Sequence, residues 1–392
     1  MDFSLTPEQE RLRQAVGSVC ARFPEPYWQR LDKEKAYPEE FVKALTEGGW
    51  LAALIPSEYG GAGLGVMEAC LVLEEINASG GNGAACHAAM YTMAALARHG
   101  SPEQKQRYLP EIASGRLRLQ SMAVTEPGAG SNTSAITTFA RKDGDGYTLN
   151  GQKVFTSRVQ HSDLILILAR TTPAEQVAKK TDGMSLFLVD LHQAGRAIEV
   201  RPIETMVNHE TNAMFIDELR VPADALVGRE GAGFRQVLDG LNAERILIAS
   251  ESVGDARWFL QKSISYAKER VVFGRPIGAN QGIQFPIARA FMHTQAASMM
   301  RFRAAAAYDA GKPAGGDANI AKLLASEAAW EAAEVAMTTH GGSGMTVEVG
   351  IERKFREARL YLVAPVTNNL VMAYMAEHVL GLPRSYGTEV SA

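Results

Sequence analysis

The chain has 392 residues, with 40 lysines and arginines against 44 aspartates and glutamates, and its formal net charge is −4. This length is too great for one ordinary compact domain, and the nearly balanced charge provides no strong field for nucleic acid or an acidic membrane. No apolar run approaches the roughly 20 residues of a membrane-spanning helix, and the first residues lack the pattern of a signal peptide. We therefore expect a cytoplasmic protein of two or three domains that binds neither nucleic acid nor a membrane.

The cysteines and histidines favour neither a disulfide framework nor a metal site. Cys20, Cys70 and Cys86 are odd in number, widely separated and never in a C-x-x-C pair. The histidines show no spacing that is typical of a metal ligand set. We expect three buried thiols and no metal bound by the protein.

Helical periodicity dominates the first part of the chain. Apolar residues recur three and four positions apart, and Thr6-Pro7-Glu8-Gln9 and Ser101-Pro102-Glu103-Gln104 are typical of helix starts. This pattern predicts an N-terminal helical domain over residues 1–118.

After residue 118 the residue pattern changes to short runs of β-branched or apolar residues, separated by turn residues. Asp143-Gly144-Asp145-Gly146 and Asn150-Gly151 are typical of hairpin turns. These runs predict a β-barrel-like middle domain over residues 119–230. No G-x-G-x-x-G follows a strand, so a Rossmann fold loses its main support.

Long segments rich in alanine and leucine return after residue 230 and predict a C-terminal four-helix bundle over residues 231–392. The segments with helical periodicity are 234–271, 284–310, 317–340 and 368–380. The predicted fold class is therefore α+β multidomain, with a helical domain, a β domain and a helical bundle in that order.

Three segments outside or at the edge of the bundle could carry chemistry, although each has an ordinary structural explanation. Residues 122–132 could approach a flat ligand closely or form a glycine-rich turn, and residues 151–158 could stack on a ring or form an ordinary strand. Arg270 and Arg275, near a helix C-terminus, could bind a diphosphate or complement the helix dipole.

Two further segments lie inside the predicted bundle. The glycine loop 340–345 could approach a cofactor or cap a helix, and for the charged stretch 352–359 we favour a solvated helix. Glu244 flanks an apolar stripe of the first bundle helix, so it is either an ordinary interfacial glutamate or a partly desolvated base. Without further context the ordinary role is favoured.

Taken together and in this order, these segments resemble the acyl-CoA dehydrogenase family of flavoenzymes. Matching motifs run nearly end to end, and include FSLTPEQ at 3–9, GSPEQKQRYLP at 100–110, Val221-Pro222 and GIER at 350–353. The resemblance implies the same three domains, packed as a homotetramer that is a dimer of dimers.

The resemblance also implies the cofactor FAD, placed between the β domain and the bundle, with its adenosine half reaching a neighbouring subunit. Ser157 would bond near flavin N5, Phe155 would lie against the ring, and Thr367 would touch FAD. The other implied flavin contacts are Met122, Val124, Thr125 and Ser131, and those to the neighbour's FAD are Arg270, Phe273, Gln281 and Gly342. The implied acyl-CoA contacts are Ser131, Asn242 and Arg245.

The reaction implied by the resemblance is the α,β-dehydrogenation of an acyl-CoA thioester to the trans-2-enoyl-CoA, with electrons passed to an electron-transferring flavoprotein. Most of the family carries its base in a Tyr-Glu-Gly-Thr pattern after the last charged helix, where this chain has Ala364-Pro365-Val366-Thr367. In the isovaleryl and long-chain branches the glutamate instead precedes an arginine on the first bundle helix, as Glu244 precedes Arg245. The resemblance therefore implies Glu244 as the base.

Three departures from the family pattern have chemical consequences. Pro365 has no N–H, so a donor that relatives aim at the thioester oxygen must come from elsewhere, such as the Val366 N–H. Asn132 stands where an aspartate is usual and Thr338 where a glutamine is usual, so their contacts can differ.

Two other functions are compatible with the scaffold. One is a flavin oxidase or monooxygenase, which would return its electrons to O₂. The other is a non-catalytic acyl-CoA-binding relic, suggested by the missing loop glutamate and opposed by the presence of Glu244.

Overall fold

The computed structural model describes residues 4–385, whose contacts divide the chain into two compact units. The first unit ends at Glu244 and the second begins at Arg245, and both residues lie on one long helix. The order of a helical part, a β part and a second helical part confirms the predicted fold class. The exact boundaries of the three domains stay a prediction, because the first compact unit contains both of the first two predicted domains.

Six helices precede the strands of the first unit. They are α1 (Pro7–Cys20), α2 (Glu25–Glu34), α3 (Glu39–Glu47), α4 (Val66–Ala78), α5 (Ala84–His99) and α6 (Pro102–Ala113). Both predicted helix starts are confirmed as capping boxes, in which Thr6 and Gln9, and likewise Ser101 and Gln104, exchange backbone-to-side-chain hydrogen bonds. The three cysteines are free and buried, as expected.

An eight-stranded mixed sheet follows the helices. Its strands are β1 (Leu119–Ala123), β2 (Phe139–Asp143), β3 (Gly146–Ser157), β4 (Leu164–Arg170), β5 (Met184–Asp190), β6 (Ile198–Pro202), β7 (Thr211–Pro222) and β8 (Leu226–Val227). The strand order is β6-β7-β3-β2-β4-β5-β8, and β1 pairs in parallel with β4. A short helix, α7 (Leu191–Ala194), lies between β5 and β6.

Strand β4 is buried along its whole length because both of its faces pack into a core. Its even-numbered side chains, from Leu164 to Leu168, belong to a core shared with α5 and α6. Its odd-numbered side chains, from Ile165 to Ala169, belong to a second core inside the sheet. Alternation of side chains along a strand therefore joins the N-terminal helices to the β part of the same unit.

One of the two predicted hairpin turns is wrong. Residues 144 and 145 connect β2 to β3, as the D-G-D-G pattern predicts. Asn150 and Gly151 instead lie inside β3, where the pairing register with β7 shifts between Leu149 and Gly151. Gly151 has φ 155 there. A bulge and a hairpin turn call for the same residue types, so the local signal could not distinguish them.

The second unit is helical. Its elements are α8 (Gly233–Glu269, which begins in the first unit), a hairpin of β9 (Val271–Val272) and β10 (Arg275–Pro276), α9 (Gln281–Asp309), α10 (Gly315–His340), α11 (Ile351–Leu360) and α12 (Asn368–Tyr374), with a π-helical turn at Met375–Val379. Helix α10 packs against α9, α11 and α12. Its buried face is mostly alanine, which lets neighbouring helices approach closely. No helix within residues 4–385 is long and apolar enough to cross a membrane.

One face of the charged helix α11 is buried, which corrects the interpretation of residues 352–359 as a solvated helix. Arg353, Lys354 and Glu357 are buried. Lys354 pairs with Asp255 of α8 and lies 3.1 Å from Glu357, to which Arg353 donates at 2.8 Å. The hydroxyl of Tyr361 also donates to Asp255, at 2.9 Å. The charges satisfy one another inside the unit, and a single sequence does not distinguish such a network from a solvated helix.

Candidate functional site

The glycine-rich loop after β1 is fixed by Glu126. One of its carboxylate oxygens accepts from the N–H (2.6 Å) and hydroxyl (2.9 Å) of Thr137. The other accepts from the N–H of Thr138 (3.0 Å) and from the Lys153 ammonium (2.8 Å). Lys153 is 0% exposed and also donates to the carbonyl of Val124 at 3.0 Å. Four donors on one carboxylate hold the loop in a single shape.

The ionisation of Glu126 depends on its buried partner Lys153, whose own pKa is lowered by burial, against the charge of Glu126, to about 8. Burial by itself raises the pKa of this carboxyl, but the Lys153 charge and the hydrogen bonds from residues 137 and 138 lower it to about 2. The two side chains therefore form a buried ion pair.

The end of β3 lies beside this loop. The N–H of Val154 donates to the carbonyl of Thr125 at 2.9 Å, and the hydroxyl of Ser121 donates to the carbonyl of Ser157 at 2.6 Å. Phe155 lies at a bulge with φ 57, and its ring is 64% exposed. The structure thus brings together three predicted flavin contacts, at positions 125, 155 and 157.

These residues fit a large planar cofactor. Thr125 and Ser157 are half-buried, and their hydroxyls have no hydrogen-bond partner within residues 4–385. A Cβ added at Gly128 or Gly130 would meet no atom within 4 Å, so the loop leaves open space in front of its backbone. Two unsatisfied hydroxyls, an exposed ring and an open glycine loop are what a ring system with polar edges needs.

The remaining predicted contacts of the β part lie on the same loop. Met122 and Val124 are half-buried and pack against the core beneath it. Ser131 is exposed, and the side-chain oxygen of Asn132 accepts from the Ser134 hydroxyl at 2.6 Å. Asn132 therefore shapes the loop locally, where the family pattern has an aspartate.

Glu244 lies on α8 and is 7% exposed. Helix α5 contacts α8 near Asp239, one to two turns before Glu244. The His99 Nε2 atom of α5 lies 3.4 Å from a carboxylate oxygen of Asp239. Tyr91 lies two helical turns before His99 and so shares its face of α5. Burial, followed by the negative charge of Glu244, raises the pKa of Tyr91.

Tyr91 is the first of a series of buried and half-buried polar groups. Its ring packs edge-on against His87, with centroids 5.4 Å apart. Burial, followed by the charges of Arg158 and His87, lowers the pKa of His209 well below its usual value, so this imidazole is neutral. Arg158 lies 3.2 Å from the His209 Nδ1 atom and 3.4 Å from the Glu210 carboxylate. No local pattern in the sequence predicts this series, because its members come from three separate stretches of chain.

The hairpin after α8 presents predicted partner contacts to the outside. Arg270 is exposed, and its guanidinium has no partner within residues 4–385. Phe273 is 100% exposed, with φ 52. Arg275 donates to the side chain of Asn280 at 2.7 Å, and Gln281 is exposed at the start of α9. Arg270 and Phe273 are therefore available to a ligand or a second protein, while Arg275 is engaged locally.

The other predicted residues of the bundle lie at loops and helix starts. Gly342 is exposed, and a Cβ there would meet nothing within 4 Å. Thr367 is the N-cap of α12, and its hydroxyl accepts from the N–H of Leu370 at 3.3 Å. Arg245 and Asn242 are half-buried on α8. Their assignments to FAD and acyl-CoA stay predictions.

Comparisons with known proteins identify relatives over nearly the whole chain. Three family models match: acyl-CoA dehydrogenase N-terminal domain at residues 6–116, middle domain at 121–219 and C-terminal domain at 231–380. The chain is 36% identical to acyl-CoA dehydrogenase FadE12 of Mycobacterium tuberculosis (strain ATCC 25618 / H37Rv), over 98% of this chain and 99% of that protein.

Solved structures are similar over the same extent. The glutaryl-coenzyme A dehydrogenase glutaryl-CoA complex has 30% identity and a TM-score of 0.91, and covers 99% of each chain. The structure of PigA with FAD and proline has 26% identity and a TM-score of 0.92, and covers 97% of this chain and all of the other.

Lys153→Met should destabilise the protein strongly, because it leaves the Glu126 carboxylate buried without its ion-pair partner. Breaking a buried pair from one side costs about 3–5 kcal/mol. Denaturant unfolding should show a loss of this size, and the purified variant should retain less FAD. Lys142→Met, at an exposed position of β2, is the matched control and should change stability little. Equal stability of the two variants would contradict the role given to the pair.

Proposed function

Because the chain belongs to the acyl-CoA dehydrogenase family, we propose that it dehydrogenates an acyl-CoA thioester between its α and β carbons, with Glu244 as the base. It is an oxidoreductase whose cofactor is FAD, as in the related complex of PigA. The proposed product is the trans-2-enoyl-CoA.

The observation that carries this proposal is a nearly buried carboxylate at Glu244, on a helix where two branches of the family place their base. The loop that holds the base elsewhere in the family has no carboxylate here, since residues 364–367 are Ala-Pro-Val-Thr. A carboxylate with little access to water is poorly solvated and therefore a stronger base toward carbon. Glu244 takes the α proton onto a carboxylate oxygen as the Cα–H bond breaks.

FAD supplies the acceptor for the hydrogen that leaves the β carbon with its electron pair. The hydroxyls of Thr125 and Ser157 would bind polar edges of the flavin, and the exposed ring of Phe155 would pack against it. Met122, Val124, Ser131 and Thr367 would complete the flavin contacts, and Ser131, Asn242 and Arg245 would bind the acyl-CoA. Their support is the geometry of the glycine-rich loop and the family resemblance.

We further propose that the protein works as a homotetramer and passes its electrons to an electron-transferring flavoprotein in the cytoplasm. Arg270, Phe273, Gln281 and Gly342 would bind the FAD of a second copy. The support for this arrangement is a fully exposed phenylalanine beside an arginine whose guanidinium has no partner within residues 4–385.

An anaerobic titration tests the proposed function. The yellow, FAD-loaded protein is mixed with a panel of acyl-CoA thioesters, and the flavin absorbance near its visible maximum is followed. Bleaching by at least one thioester, with formation of the matching enoyl-CoA, is the expected result. Rapid reoxidation by air without an added acceptor would favour the oxidase alternative, and no bleaching by any thioester would overturn the proposal.

Glu244→Gln should slow flavin reduction by about 10²–10⁴-fold, because the step depends on a general base and the amide cannot accept the α proton. The variant should keep FAD and still bind acyl-CoA, since its shape is unchanged. Asp239→Asn, on the same helix but on another face, is the control and should reduce at nearly the wild-type rate. Near-normal reduction by Glu244→Gln in stopped-flow measurements would eliminate Glu244 as the base.

Arg270→Ala should weaken FAD binding by roughly 1.5–3 kcal/mol, which is the contribution of a hydrogen bond to a charged group. The measurement is FAD retained after gel filtration, together with the oligomeric state. Lys268→Ala removes the same charge from an exposed position two residues earlier and serves as the control. Isolated monomers fully loaded with FAD would be inconsistent with a contribution from the second copy.

A further inference from the structure

The loop between α11 and α12, residues 361–367, is held at both ends by buried polar groups. At its start, the Tyr361 hydroxyl donates to Asp255. At its end, the Lys322 ammonium of α10 donates to the carbonyl of Val366 at 2.8 Å and to the side-chain oxygen of Asn368 at 2.7 Å. This is the loop that carries the base in most of the family and has none here.

Lys322 depends on this loop for its hydrogen bonds. Its side chain is 0% exposed, and every acceptor it has within residues 4–385 belongs to residues 366 and 368. Burial and, to a smaller extent, the nearby charge of Arg245 on α8 lower its pKa to about 8, while Glu327 of α10 acts in the opposite direction. Those two are the charged groups that act on it. A buried ammonium without acceptors is costly, so the loop cannot move away while Lys322 is protonated.

The hydrogen bond from Lys322 to the Val366 carbonyl also makes the next backbone N–H of the loop a stronger donor. The carbonyl of Val366 belongs to the same peptide group as the N–H of Thr367, and a cation on the oxygen polarises that N–H into a stronger donor. The N–H groups of Val366 and Thr367 have no acceptor within residues 4–385. Pro365 offers no N–H, so these are the next two donors along the loop.

We propose that Lys322 is a positioning residue for the dehydrogenation, which holds the loop so that one of the two amides after Pro365 donates to the thioester oxygen. This inference rests on the proposed function. Negative charge develops on that oxygen as Glu244 takes the α proton, and a donor fixed in place stabilises it without reorganisation. Lys322 itself does not touch the substrate.

The test compares wild-type protein with Lys322→Met, with Lys322→Gln, which keeps a neutral donor, and with Lys312→Met at an exposed position as the control. The probe is butyryl-CoA, and flavin reduction is followed by stopped flow across pH 6–10. Lys322→Met should bind butyryl-CoA within about threefold of wild type but reduce the flavin about 10–100-fold more slowly, short of the 10²–10³ expected for complete loss of a donor. Lys322→Gln should be intermediate, and Lys312→Met unchanged.

The pH profile and a spectroscopic signal separate positioning from a structural role. The limiting rate of the wild type should fall as pH rises through about 8, because a neutral amine holds the carbonyl more weakly, and this fall should be absent in Lys322→Met. Infrared difference spectra of bound [1-¹³C]crotonyl-CoA, which require no turnover, should show a lowered carbonyl frequency in the wild type. In Lys322→Met the frequency should lie closer to that of free crotonyl-CoA.

The outcomes distinguish failure of the proposed function from failure of the role proposed for Lys322. A wild-type flavin that no acyl-CoA reduces overturns the proposed function. A wild type that is reduced, with a Lys322→Met variant of equal rate, equal carbonyl frequency and equal pH profile, overturns the role of Lys322 alone. If Lys322→Met loses FAD or fails to fold, and the carbonyl frequency in Lys322→Gln equals that of the wild type, Lys322 has a structural role only and the proposed positioning role is overturned. A crystal structure with acyl-CoA should place the residue 366 or 367 N–H within about 2.7–3.1 Å of the thioester oxygen.

Discussion

Two of the backbone segments assigned to cofactor and substrate are each held by a lysine ammonium that the fold buries completely. Lys153 donates to the carbonyl of Val124 in the glycine-rich loop, and Lys322 donates to the carbonyl of Val366 in the loop before α12. An ammonium in the interior loses several kilocalories per mole of hydration unless acceptors replace the water. Each loop supplies those acceptors, so its shape is tied to the stability of the core beneath it.

The two lysines are compensated differently, and this difference has a chemical consequence. Lys153 has a carboxylate partner in Glu126, so its charge is cancelled locally. Lys322 bonds to two neutral oxygens, so within residues 4–385 its ammonium has no carboxylate as a hydrogen-bond partner. Positive charge favours an oxygen that becomes negative during reaction. The first pair suits a rigid binding surface, and the second suits a site where charge develops.

Local signals predicted local structure well. The capping boxes at Thr6 and Ser101, the buried cysteines and the long bundle helices all follow from residue type and spacing within a few turns. Glu244 could be singled out only through the family resemblance. The Glu126–Lys153 pair spans 27 residues and the Lys322–Val366 bond spans 44, and neither leaves a periodic trace. The predictions of a solvated helix at α11 and of a hairpin turn at Gly151 were wrong for the same reason. Both features depend on pairing with residues distant in the sequence.

The proposed base, Glu244, lies on a helix, and this proposal changes what the loop before α12 has to do. When one glutamate both removes the proton and offers its N–H to the thioester oxygen, a proline at that position is excluded. With Glu244 as the base, proton removal and charge stabilisation are assigned to different elements, and residue 365 is released from both tasks. The loop then needs only a fixed backbone and one free amide. A buried lysine bonded to the neighbouring carbonyl provides the first and strengthens the second.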